Sequence, residues 1–95
     1  MTTKEEYLEM AKEKLTEWKG KLNELKQKAA QYAAESRGQV EEEVGNLENQ
    51  FREVEGPIQQ MIQSGEMTAD KFREVVQPAE KKMDEAFKSV QIKFQ

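Results

Sequence analysis

The residue types that carry most enzyme chemistry are nearly missing from this chain, and those present are not spaced to converge. There is no histidine and no cysteine. That removes the commonest general base, the commonest transition-metal ligand, and all thiolate and disulfide chemistry. Ser36, Ser64 and Ser89 therefore have no histidine to activate them as nucleophiles. Glu41, Glu42 and Glu43 stand in a row, but consecutive helical residues point in different directions and cannot meet at one ion. The two aspartates, Asp70 and Asp84, are too few for an EF-hand loop. Gly38 and Gly45 belong to neither Gly-Lys-Ser/Thr nor Gly-x-Gly-x-x-Gly, the arrangements whose backbone N–H groups cradle phosphate. The expectation is a non-enzyme with no catalytic residue, no cofactor site and no metal site.

Two sets of apolar residues invite a sharper reading. Trp18 is followed two heptads later by Tyr32. Core packing accounts for both, but tryptophan is also enriched among residues that anchor a partner. Met61, Met67 and Met83 surround one predicted turn. They suit core filling and stapling there, although methionine-rich surfaces also bind adaptably.

Charge narrows the partners. The formal net charge is −4, with charged and hydrophobic residues each 36% of the chain. Residues 1–28 hold seven lysines against six glutamates, residues 35–55 seven acids against two arginines, and residues 66–95 six of each sign. An acidic middle argues against nucleic acid, whose phosphates need clustered Lys and Arg. The opening Met-Thr-Thr-Lys-Glu-Glu lacks the basic and apolar regions of a signal peptide, and no apolar run is long enough to span a bilayer. A soluble cytoplasmic protein is expected. Residues 1–28 form an amphipathic pattern that could lie on a lipid surface, but their charges nearly cancel, which weakens attraction to anionic lipid.

The elements that must position these residues are helices. Thr3 with Glu6 forms a capping box. Apolar residues then recur at Leu8, Ala11, Leu15, Trp18, Leu22, Leu25, Ala29 and Tyr32, in alternating steps of three and four that make a heptad seam. Glu17 with Lys21 and Glu24 with Lys28 support the outer face. Gly20 costs about 1 kcal/mol against alanine there. The seam resumes at Val40, Val44, Leu47, Phe51, Val54, Ile58 and Met61, with a slip of one residue between Tyr32 and Val44. Either one helix runs through and absorbs the slip as altered winding, or a helix ends near Gly38 and another starts with Glu41, Glu42 and Glu43 in its first turn. Gln39 is a poor N-cap for the second course. Gly56-Pro57 leaves the spacing unbroken and predicts a kink.

A tight turn is predicted at residues 65–68. Gly65 suits a left-handed helix terminus, Thr68 an N-cap, Met67 and Phe72 a hydrophobic staple, and Asp70 the positive end of the next helix dipole. The last helix carries Phe72, Val76, Ala79, Met83, Phe87, Val90 and Phe94 on its seam, with Pro78 bending it. Residues 69–94 would span about 39 Å, matching the antiparallel stretch 40–64.

These residues together resemble a group of small bacterial coiled-coil proteins, many described as stress-response proteins and otherwise uncharacterised. The likeness lies in the opening Met-Thr-Thr-Lys-Glu-Glu-Tyr, in Leu15-Thr16-Glu17-Trp18, in Leu25 with Lys28-Ala29, in Ser64-Gly65, and in Phe72, Ala86-Phe87 and Lys93-Phe94. The resemblance implies a non-enzymatic helical protein of stress response and brings no catalytic residues. Similar proteins tend to lack glycine at position 38 while showing the same slip, which favours one long helix. Gly38, Gly45, Gly56-Pro57 and Pro78 are departures that put its continuity in doubt.

The expected fold is all-α, with residues 1–95 as a single coiled-coil domain. It is an antiparallel helical hairpin with a long kinked first helix, the turn at residues 65–68, and a shorter second helix packed back. The alternative is a three-helix bundle turning near Gly38. In the hairpin the first half of the long helix lies bare. Leu8, Leu15, Trp18, Leu22, Leu25 and Tyr32 then form a candidate helix-packing interface for self-association, and another chain covers Trp18. The expected function is a structural or interaction protein acting through helix–helix contacts, with a peripheral lipid-surface binder as the alternative.

Overall fold

The computed structural model describes residues 3–93, and Phe94 of the predicted seam lies outside them. The described residues form three helices packed against one another, with no strand among them. Helix α1 is Lys4–Ala30 and α2 is Ala34–Ser64. Helix α3, residues 69–93, is built from an α-turn Ala69–Lys71, a π-turn Phe72–Val76 and an α-helix Gln77–Lys93.

The start of α1 is capped as expected, with a variation. The Thr3 hydroxyl accepts from the Glu6 N–H at 3.2 Å. The Glu6 carboxylate reaches back to the Thr3 hydroxyl, at 3.4 Å, and not to the Thr3 backbone as a standard capping box requires.

The single long helix is corrected to two. The chain breaks after Ala30 and restarts at Ala34, so it neither runs straight through nor turns at Gly38, which sits inside α2. At the break the Gln31 N–H reaches Lys28 O at 3.0 Å and the Tyr32 N–H reaches Ala29 O at 3.3 Å, tightening the last turn. Ala33 is extended (φ −60°, ψ 151°), and its carbonyl starts α2 by accepting from Ser36 and Arg37. The slip in the heptad has its cause here: each helix carries its own seam, and the break lets both face one core. The energetics favour it. Burying Leu15, Trp18, Leu22 and Leu25 is worth roughly 1.5–3 kcal/mol each. The helix hydrogen bonds given up at the break are worth about 1 kcal/mol each.

The second reversal follows the expected chemistry. Gly65 adopts φ 71°, ψ 16°. Its N–H meets Ile62 O at 3.3 Å, and the Glu66 N–H meets Met61 O at 3.2 Å, a Schellman closure. The Thr68 hydroxyl accepts from the Lys71 N–H at 3.2 Å, and Met67 and Phe72 are both buried. Pro57 lies within α2, which continues through it. Ahead of Pro78, α3 widens into the π-turn, where the Gln77 N–H bonds Phe72 O. The extra residue accommodates a proline that cannot donate to the preceding turn.

The three seams meet in one cluster. Its buried members are Ala11, Leu15, Trp18, Leu22, Leu25 and Ala29 from α1; Val44, Leu47, Phe51 and Ile58 from α2; Met67; and Phe72, Val76, Ala79, Met83, Phe87 and Val90 from α3. Among the described residues no polar or charged residue is buried. The molecule measures 51 × 20 × 17 Å with a radius of gyration of 15.2 Å, against about 12 Å for a compact domain of this length. A thin core on a limited apolar supply is stretched into a rod.

Candidate functional site: the interhelical surface

The residues predicted to present an interface are gathered inside the chain. Leu15, Trp18, Leu22 and Leu25 are buried, Leu8 packs half-buried against the core, and Tyr32 is half-buried at the α1–α2 turn. Trp18 is 1% exposed within a single chain, so the atoms covering its ring are its own chain's. Met67 and Met83 are fully buried and Met61 half-buried, the core-filling role. The turn at Tyr32 is held by Arg37, whose guanidinium donates to the Tyr32 carbonyl from Nε at 3.2 Å and Nη2 at 3.0 Å.

The polar candidates diverge. Ser36, Ser64 and Ser89 are exposed, and the Ser64 hydroxyl donates to Met61 O at 3.2 Å. Glu41 and Glu42 point to solvent, while Glu43 pairs with Lys93 of α3 at 2.6 Å. Among the described residues no three acidic side chains gather where a metal ion could be held.

Ion pairs between helices are the polar feature that sequence reasoning missed. Lys26 of α1 meets Glu48 of α2 at 3.0 Å, and Lys14 of α1 meets Glu80 of α3 at 2.7 Å. Lys82 and Lys93 of α3 reach Glu53 and Glu43 of α2. The hydrogen bond to Glu80 raises the Lys14 ammonium above the usual lysine range, against the opposing pull of burial. The hydrogen bond from Lys26 holds the Glu48 carboxyl below the usual glutamate range, with Arg52 adding to it. Two ring contacts also tie α1 to α3: Tyr7 and Phe72 lie 5.2 Å apart, and the Lys21 ammonium lies 5.7 Å from the Phe87 centroid. No local signal marks any of these, because the partners lie far apart in the chain. By contrast the predicted Glu17–Lys21 pair, one turn apart, forms at 3.4 Å.

An open apolar groove of about 360 Å³ runs between α2 and α3, lined by Val54, Pro57, Val75, Pro78 and Ala79 and edged by Glu53, Glu74 and Lys82. The two prolines give it a common logic. Neither can donate an N–H to the carbonyl four residues before it, which is Glu53 for Pro57 and Glu74 for Pro78. Both prolines thus line one apolar slot. Such a surface suits packing of an apolar side chain, with the Glu53 and Glu74 carboxylates and the Lys82 ammonium at its edge.

No helix among the described residues is long and apolar enough to cross a membrane. Comparison of the chain with protein-family models, with curated proteins and with solved structures gave no match.

Proposed function

We propose that this is a non-enzymatic interaction protein, a three-helix bundle with coiled-coil-like packing that acts through helix–helix contacts. The observation that carries this reading is the groove between α2 and α3, where Val54, Pro57, Val75 and Pro78 leave apolar surface open. The polar side chains around it are ion-paired or solvated, so the surface is equipped to bind and not to catalyse. The resemblance to stress-response coiled-coil proteins supports a role as a stress-response factor.

The test compares capture of cellular proteins by the parent chain and by Val75→Lys, which places a charge in the groove at a half-buried position. A specific partner kept by the parent and lost by a still-folded Val75→Lys is the expected result. Equal capture by both, or by neither, overturns the groove as the contact surface. The peripheral lipid reading differs physically, because the apolar face of α1 would have to leave the core before it could meet a bilayer. Sedimentation with anionic vesicles at ordinary salt separates the two.

A further inference from the structure

The two reversals of this chain are built differently. The turn after α2 is locally encoded: Gly65 is the glycine with positive φ, its Schellman bonds close the helix, and Thr68 caps the next one. The turn after α1 has none of this. Its sequence from Ala29 to Glu35 is Ala-Ala-Gln-Tyr-Ala-Ala-Glu, without a glycine, proline or strong capping residue. Gln31 keeps a right-handed helical conformation, and α2 starts at Ala33 with no side-chain cap. Ala33 is extended at a φ of −60°, which is also a helical value, so rotation about its ψ goes far toward the straight form. Alanine and glutamate there favour helix, and a continuous helix would give the N–H groups of Ala33, Ala34 and Glu35 the carbonyls of Ala29, Ala30 and Gln31. Burial of the α1 seam and the Arg37 clamp on the Tyr32 carbonyl both help to hold the chain bent.

Straightening would expose Leu15, Trp18, Leu22 and Leu25 together. The surface already shaped for them is the α2–α3 face of a second copy that has released its own α1. We propose that the turn at residues 31–33 is a hinge, and that the protein forms a dimer by exchanging α1 with a second copy. Exchange of an identical element is a low-cost route to a dimer, because the interface is the one the monomer already has. Lys14–Glu80 and Lys26–Glu48, pairs within one chain in the monomer, become pairs between chains. Residues 4–64 become one helix of about 92 Å, against a monomer 51 Å long. Ala30, Ala33 and Ala34 put little bulk where the two long helices cross. The inference rests on the hinge and the seam and is independent of the groove.

The experiment refolds the full chain from denaturant at low and high protein concentration and follows it by light scattering and solution X-ray scattering. A species of twice the 11.0 kDa chain mass, near 90 Å long by the same helix rise, is expected to grow with refolding concentration. Arg37→Ala should raise its share several-fold. Ala33→Pro should abolish it while keeping the monomer, since φ −60° suits the ring but proline at that site clashes with the Ala29 carbonyl in a continuous helix. Should Ala33→Pro fail to fold, carbodiimide coupling of mixed ¹⁴N and ¹⁵N parent protein still decides. Lys14–Glu80 links of mixed isotope in the dimer fraction support exchange, and links of a single isotope overturn it. Monomer alone from parent and Arg37→Ala at every concentration overturns the proposal. So does a dimer that Ala33→Pro leaves undiminished. Sedimentation of protein with phosphatidylglycerol-rich vesicles in place of dimer formation would show that lipid, and not a second copy, covers the freed face.

Discussion

Replacing Trp18 by alanine tests where the core lies. The ring is 1% exposed and sits on α1 between Leu15 and Leu22, both buried. Truncating a buried tryptophan costs about 3–5 kcal/mol, from lost transfer free energy and the cavity left behind. A domain of this size has roughly 5–15 kcal/mol in total, so the loss is a large share of the fold. At about 4–8 °C per kcal/mol for a chain this short, the midpoint of thermal unfolding should fall by at least about 12 °C. Because the ring is covered by its own chain, the drop should appear in the purified monomer and be the same at every concentration at which the protein stays monomeric. The assay is far-ultraviolet circular dichroism against temperature at several concentrations, with Trp18→Phe as a control expected to recover part of the loss. A Trp18→Ala midpoint within about 4 °C of the parent, below the shift that 1 kcal/mol produces, would refute the cis core. A shift that shrinks as protein is concentrated would instead place the ring in an interface between chains.

Two glycines should respond in opposite directions. Gly65→Ala forces a side chain into the left-handed region and should lose about 1–2 kcal/mol, although a Cβ there meets open space. Gly20→Ala, helical and equally open, should gain about 1 kcal/mol; urea titration of both variants reads the two signs. Thr68→Ala removes the cap bond to the Lys71 N–H and should cost about 1 kcal/mol in the same titration. The Glu48 carboxyl is held below its ordinary value by Lys26, so its contribution is present above the unfolded-state value near 4.3 and is lost as pH falls through the lower folded value. Lys26→Met should therefore flatten the loss of stability below about pH 4, measured as urea midpoint against pH, and an unchanged acid limb would refute the pairing. Lys14 is raised by Glu80, so its contribution should be full below the ordinary lysine range and fade as pH climbs through the folded value above it, a fade that Glu80→Gln removes.

The sequence by itself determined that the chain is helical and which faces of it turn inward. Predicted seam residues such as Ala11, Leu22, Phe51, Val76 and Phe87 are all buried, because heptad spacing is a local property that any packed helix must satisfy. It determined the reversal at residues 65–68 for the same reason, since a left-handed glycine, a threonine cap and two staple residues act within a few residues of one another. Tertiary structure alone decided that α1 folds back at residues 31–33. Nothing in Ala-Gln-Tyr-Ala-Ala breaks a helix, and the bend exists because burying the α1 seam outweighs the helix bonds given up there. It alone decided that Trp18 is covered by its own chain, that Lys14 finds Glu80, and that Pro57 and Pro78 face one groove. Each of these depends on how whole helices are set against one another, and chain spacing carries no record of that.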